Sequence, residues 1–263
     1  MNPLEVTGLS VRRADGRELV RDLSLALAPG ERLGLIGESG SGKSLTALAV
    51  MGLLPAGMTS GGSVLLSGTQ VIGTPDRRLD RVRGRAAAVV FQEPLTALDP
   101  LMRIGRQLAE PIRRHRGLRG VRLRAAVLDA LAEVRLPERV AGAYPHEISG
   151  GQRQRAAIAM ALACEPRLLI ADEPTTALDV TVQAEILALL DGLVTERGMA
   201  LLFISHDLAV VADVADRVAV LKDGSMVESG RTRDIVREPR HAYTRALVNS
   251  AWALESELDR LAP

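Results

Sequence analysis

The sequence predicts an α/β fold: a largely parallel sheet with an antiparallel strand pair at its start and a helical block inserted midway. Three observations carry that expectation. Short apolar runs alternate with helical patterns along the chain. One run, Leu33-Gly34-Leu35-Ile36, leads straight into Gly37-Glu38-Ser39-Gly40-Ser41-Gly42-Lys43-Ser44 and then into a helical pattern over residues 44–51. Another, Leu168-Leu169-Ile170-Ala171, is apolar throughout and ends on Asp172 and Glu173, as expected of a strand buried on both faces.

The glycine-rich stretch fits the phosphate-binding loop pattern, and it sits in the strand–loop–helix context that gives the pattern meaning. Its glycines allow a tight turn that brings successive N–H groups to one concavity, and the helix start adds free N–H groups and the positive end of a dipole. Lys43 supplies a point charge for β- and γ-phosphates, and the Ser44 hydroxyl a ligand for Mg²⁺. Asp172, at a strand tip, suits the Mg²⁺ shell. Glu173, one step on, suits a group that orients an attacking water and accepts its proton.

The remaining elements follow in order. Residues 4–11 and 19–27 alternate loosely and read as the antiparallel pair, with a turn at Ala14-Asp15-Gly16 and a stop at Pro29-Gly30. The helix after the phosphate loop stops near Leu54-Pro55-Ala56-Gly57. Residues 62–68 read as a short strand and turn, 77–83 as a short basic helix and 86–91 as a buried strand. Beyond Phe91 the pattern turns helical: residues 104–116, 121–134 and 150–163. After the acidic strand come a long helix over 181–197, a buried strand over 200–204 and a helix over 208–215. A hairpin around Lys222-Asp223-Gly224 follows, and a tail from Thr232 with two or three short helices.

Composition narrows the function classes. The chain of 263 residues has a formal net charge of +1, which gives no sign of general nucleic-acid binding. Lys43 and Lys222 are its only lysines, so a lysine inside the phosphate loop fits a chemical role. Cys164 is the only cysteine, which rules out an intramolecular disulfide and reads as a small core residue. His115, His146 and His241 carry no assigned chemistry. The first 13 residues lack the pattern of a signal peptide, and no apolar run is long enough to span a bilayer. A cytoplasmic protein that reaches a membrane by docking to another protein is expected.

Ser149-Gly150-Gly151-Gln152 opens the last helix of the inserted block. With the phosphate loop and the acidic strand, it resembles the signature of the ATP-binding cassette (ABC) ATPases. The resemblance implies a RecA-like P-loop NTPase core with an antiparallel β subdomain and a helical insert. Residues 1–92 and 165–230 would form the core with its β subdomain, 93–164 the helical subdomain and 231–263 a C-terminal extension. Gln92 matches the family's Q-loop glutamine, which reaches Mg²⁺ and the attacking water. Thr176-Ala177-Leu178-Asp179 matches the D-loop at the dimer interface, and His206, in Ser205-His206-Asp207, the switch histidine on the γ-phosphate. The signature loop caps the γ-phosphate of an ATP held by a second cassette, identical or different.

Three longer stretches resemble the dipeptide, oligopeptide and nickel importer branch of the family. They are Phe91-Gln92-Glu93-Pro94-Leu95-Thr96-Ala97-Leu98-Asp99-Pro100, the run from Tyr144 to Gln152, and the run from Ile170 to Ala184. The tail element His241-Ala242-Tyr243-Thr244 is similar to that branch's His-Pro-Tyr-Thr, with alanine in place of proline. The branch implies ATP and Mg²⁺ as cofactors, two transmembrane permeases near the Q-loop and helical insert, an extracytoplasmic solute-binding protein acting indirectly, and a place at the cytoplasmic face of the membrane. Peptides are the expected solute, with nickel or another small solute as the alternative. An accessory cassette of a phosphonate-degrading enzyme complex is the rival. The family's adenine-stacking aromatic is missing: Val11, Arg12, Arg13 and Ala14 stand there, which predicts weak discrimination among purine nucleotides. Without further cysteines, no iron–sulfur cluster is expected.

Overall fold

The computed structural model describes residues 1–93, 97–176 and 178–261, with side chains as far as residue 252. Pro94, Leu95 and Thr96 of the Q-loop stretch, Ala177 of the D-loop stretch, and Ala262 and Pro263 of the tail lie outside the described residues. The chain divides into two compact units, residues 1–74 with 201–263, and residues 75–200.

The first unit holds two sheets. Strands β1 (Leu4–Arg13) and β2 (Glu18–Leu27) pair antiparallel, Leu4 opposite Leu27 and Val6 opposite Leu25. Alternation buries Leu4 and Val6, and an irregularity in the register between Val6 and Leu9, where Gly8 has φ 59°, buries Leu9 and Val11 in turn. β4 (Met58–Leu66) pairs antiparallel with the other edge of β1, and the two-residue β5 (Thr69–Gln70) closes the order β2-β1-β4-β5. The expected strand over 62–68 is therefore longer and starts four residues earlier, because pairing with β1 carries Gly61 and Gly62 into a strand that their own propensity would not make.

The second sheet of this unit runs β10-β9-β3-β8. β3 (Arg32–Ile36) lies parallel to β8 (Ala200–Ser205) on one side and to β9 (Arg217–Lys222) on the other, and β10 (Ser225–Arg231) pairs antiparallel with β9. Leu33, Leu35, Leu202 and Ile204 are buried, as is Phe203, one of only two phenylalanines. Helix α1 (Lys43–Met51) follows β3 and ends on Gly52 in the left-handed region. Among the described residues, the tail differs from expectation. One short helix (Thr232–Arg237) is followed by a single helix of 20 residues (Ala242–Leu261). Alanines and leucines carry it past the expected breaks, and no glycine or proline interrupts it.

In the second unit, β6 (Ala87–Val90) pairs parallel with β7 (Leu168–Asp172), Val90 opposite Ala171. The expected basic helix over 77–83 shrinks to α2 (Asp76–Leu79), and residues beyond it form turns. The helical block comprises α3 (Ile104–Arg116), α4 (Gly120–Glu133) and α5 (Gly150–Leu162), close to the expected spans. Ile104, Leu108, Ile112, Val127 and Leu131 recur at helical spacing and are buried. α6 (Val180–Arg197) follows β7 and the loop after it. In the first unit, α7 (Leu208–Val214) follows β8, and the two tail helices are α8 (Thr232–Arg237) and α9 (Ala242–Leu261).

Candidate nucleotide site

The phosphate loop is held by backbone contacts made far from it in sequence. Gly42 has φ 101°, and a Cβ there would lie 2.9 Å from the Leu19 carbonyl of β2, so no other residue fits without displacement. The Ser41 carbonyl accepts the Gly224 N–H at 3.1 Å, and the Gly224 carbonyl accepts the Arg21 N–H at 2.7 Å. The β9–β10 turn thus clamps the loop against β2. Lys43 is 5% exposed, and its Nζ donates to the carbonyls of Gly37 (2.6 Å) and Glu38 (3.0 Å). α1 has no side-chain cap at its start. The Ser41 hydroxyl is buried and meets no hydrogen-bond partner among the described residues. A buried donor without a partner among the described residues, in a glycine loop and beside a helix whose N-cap is a glycine, fits an anion with several acceptor oxygens.

The parallel register brings further groups to the same edge. Ile36 lies opposite Ser205, so the chain leaves β3 into the phosphate loop beside the point where it leaves β8 into His206. His206 is exposed. Its neighbours hold the turn: the Ser205 hydroxyl accepts the Asp207 N–H at 3.0 Å, and Asp207 Oδ1 caps α7 by accepting the Ala209 and Val210 N–H groups.

In the second unit the β6–β7 register does the same for Gln92 and the two acids, since Val90 lies opposite Ala171. Asp172 is buried at the end of β7. Glu173 has φ 48°, a left-handed conformation that is uncommon for a non-glycine residue. Its carboxylate accepts the Thr176 hydroxyl at 3.0 Å, and its carbonyl accepts the Thr176 N–H at 3.2 Å. Thr176 therefore aims Glu173, a role that the motif match did not reveal although the three-residue spacing allows it.

The start of α5 carries a reciprocal cap. Ser149 Oγ accepts the Gln152 N–H at 3.3 Å, while Gln152 Oε1 accepts the Ser149 N–H at 3.1 Å. The Ser149 hydroxyl keeps its own proton for donation elsewhere. Ser149 and Gly150 are exposed. A Cβ on Gly151 would lie 2.8 Å from Val182 Cγ1, so this glycine makes room for α6. Asp179 Oδ1 accepts the Val182 N–H at 3.0 Å and caps α6.

Residues 20–176 match the family model described as ABC transporter, more than half of the chain. The chain belongs to the ABC transporter family. Residues 227–263 of this ABC protein also match the oligopeptide/dipeptide transporter C-terminal region. It is 46% identical to the oligopeptide transport ATP-binding protein OppD of Salmonella typhimurium, over 97% of this chain and 77% of that one. It is 51% identical to the peptidoglycan transport ATP-binding protein YejF of Agrobacterium fabrum, over 87% of this chain and 43% of that protein. A solved ATP-binding cassette, a dimer in a post-hydrolysis state with ADP and phosphate, superposes with a TM-score of 0.77 at 29% identity, over 88% of this chain and 99% of that one. The architecture is accordingly that of an ABC ATPase, and the chain is an ATPase of this family.

Arg12 and Arg13 stand where the family's stacking aromatic was expected. Both are exposed and engaged: Arg12 Nε donates to Glu18 at 2.8 Å, and Arg13 Nε donates to Asp15 at 2.8 Å. The Arg13 guanidinium and the Arg17 N–H hold the Asp15 carboxyl down at about 2. Among the described residues no helix is long and apolar enough to cross a membrane.

Proposed function

We infer that this chain is the ATP-binding and ATP-hydrolysing subunit of an importer of di- and oligopeptides. The observation that carries this reading is the joint match of one chain to the ABC transporter model and to the oligopeptide/dipeptide transporter C-terminal region. In this reading residues 1–92 and 165–230 form the nucleotide-binding core with its β subdomain, 93–164 the helical subdomain and 231–263 the C-terminal extension.

The phosphates of ATP lie in the cradle made by Gly37, Glu38, Ser39, Gly40, Ser41, Gly42, Lys43 and Ser44. The unpartnered, buried Ser41 hydroxyl supports that placement. Lys43, its ammonium already oriented by two carbonyls, balances phosphate charge. The hydroxyl, amide and carboxylate oxygens of Ser44, Gln92 and Asp172 are hard donors suited to Mg²⁺, which when bound neutralises charge between the phosphates. Glu173 orients the attacking water and accepts its proton, with its carboxylate held by Thr176. His206 braces the γ-phosphate. Ser149, Gly150, Gly151 and Gln152, with Asp179, complete a site on the ATP of a second cassette, identical or different.

Two such cassettes close on two ATP and pull on a pair of transmembrane permeases at the cytoplasmic face of the membrane. An extracytoplasmic binding protein delivers the solute. The test is pull-down of the tagged, membrane-extracted complex, with ATP turnover measured beside the Glu173→Gln form. Recovery of two permeases, with turnover lost in the variant, supports the reading. Recovery of soluble phosphonate enzymes without a permease would overturn it, and stimulation by nickel rather than by peptide would move the solute.

A further inference from the structure

The C-terminal extension reaches the phosphate loop through one side chain. Tyr243, in the first turn of α9, accepts the Glu38 N–H on its hydroxyl oxygen at 2.8 Å, across 205 positions of sequence. The ring is buried, 8% exposed, and Lys222 Nζ lies 5.2 Å from its centroid. Burial pushes the phenol above its ordinary value; the Glu38 N–H bond pulls it down, but the negative charges of Glu38 and Asp223 add to burial and the net direction is upward. The hydroxyl therefore stays neutral at physiological pH.

Tyr243 is itself held. Its N–H donates to His241 Nδ1 at 3.2 Å. The Glu228 carboxylate of β10 accepts the N–H groups of Arg240 (2.8 Å) and His241 (2.9 Å) just before it. A continuous chain of contacts thus runs from β10 through residues 240–243 to the phosphate loop.

The bond from Glu38 matters because of the peptide unit it belongs to. The Glu38 N–H and the Gly37 C=O are two ends of one planar trans peptide and point in opposite directions. The Gly37 carbonyl is the closer of the two that receive Lys43 Nζ, at 2.6 Å. Tyr243 therefore grips one end of a rigid plate whose other end holds the ammonium of Lys43.

We propose that Tyr243 is a positioning residue for nucleotide binding: its hydroxyl fixes the Gly37–Glu38 peptide plane and through it the Lys43 ammonium. This rests on the reading of residues 37–44 as the phosphate site. Without the hydroxyl the Glu38 N–H loses its partner, the plane is freer to turn, and Lys43 loses a fixed acceptor. Tyr243→Phe keeps the ring, and with it the packing and the contact with Lys222.

The experiment is calorimetric titration of the full chain with MgADP, alongside thermal melting without nucleotide. Tyr243→Phe is expected to weaken binding by about 5–10-fold, with a nearly unchanged melting midpoint. Tyr243→Leu is expected to weaken binding by a similar factor and to lower the midpoint as well. In a Lys43→Ala background Tyr243→Phe should add little, because both changes act on one ammonium. Wild-type affinity in Tyr243→Phe would overturn the proposal, as would effects of Lys43→Ala and Tyr243→Phe that simply add. If Lys43→Ala itself leaves MgADP binding intact, the phosphate-site reading fails first, which separates the two failures.

Discussion

Two glycine-rich loops open helices in this chain, and they are held in different ways. Residues 37–44 precede α1 without a side-chain cap and are braced from outside, at Ser41 by the β9–β10 turn and at Glu38 by Tyr243. Residues 149–152 open α5 with a reciprocal cap made by their own side chains, and Ser149 and Gly150 are exposed. The first loop has a buried hydroxyl, that of Ser41, without a partner among the described residues, and it takes its rigidity from the rest of its unit. The second satisfies the N–H groups of Ser149 and Gln152 with its own side chains, and its serine is exposed. That difference suits a cradle complete in one chain and a cap that works on the nucleotide of another.

The comparison breaks or sharpens under substitution. The largest effect is expected for Glu173→Gln, which should lower ATP turnover by about 10²–10⁴-fold while leaving nucleotide binding in place; parallel hydrolysis and binding assays check this. Lys43→Ala should weaken ATP by roughly 10–100-fold, the loss of a charge-assisted contact, read by titration of the single chain.

Gly151→Ala addresses the second loop. Its Cβ would lie 2.8 Å from Val182 Cγ1, so α5 and α6 must shift. Turnover should fall by about tenfold, the cost of roughly 1.4 kcal/mol of misplacement, with single-chain ATP affinity unchanged. Val182→Ala in the same chain should restore it. A matching loss of single-chain affinity would erase the contrast between the two loops.

Smaller effects fall on the tail and the base. Burial raises the Glu228 carboxyl, but the hydrogen bonds it accepts, including those from the Arg240 and His241 N–H groups, outweigh burial and leave it below the ordinary value. A depressed carboxyl stabilises the fold above its unfolded pKa, and this contribution is lost as pH falls through the folded value. Melting midpoints of wild type and Glu228→Gln should therefore differ at neutral pH and converge in acid. Smallest of all, ATP and GTP should compete within about threefold, because positions 11–14 hold no aromatic residue and both arginines there are in ion pairs.

Much of this was legible because it is local. The strand before residues 37–44, the helix after them and the acids closing β7 follow from runs and turn residues within about ten positions of one another. The three helices of the inserted block were close to their observed bounds for the same reason. What was missed depends on partners remote in sequence. β4 begins at Met58 because β1 pairs with it. The glycine at position 151 answers to Val182, and the extent of α9 was underestimated.

The sequence by itself put forward the candidates for the chemistry: the phosphate-loop pattern and the two acids by residue type at a short fixed spacing, the signature and the switch histidine by resemblance to the family. Only the tertiary structure decided how those groups are aimed. Thr176 turned Glu173, Gly224 clamped Ser41, and Tyr243 took the Glu38 N–H. Hydrogen-bond partners of a backbone amide are chosen by which chain segment arrives beside it, and that is set by packing over the whole unit rather than by the residues next to it.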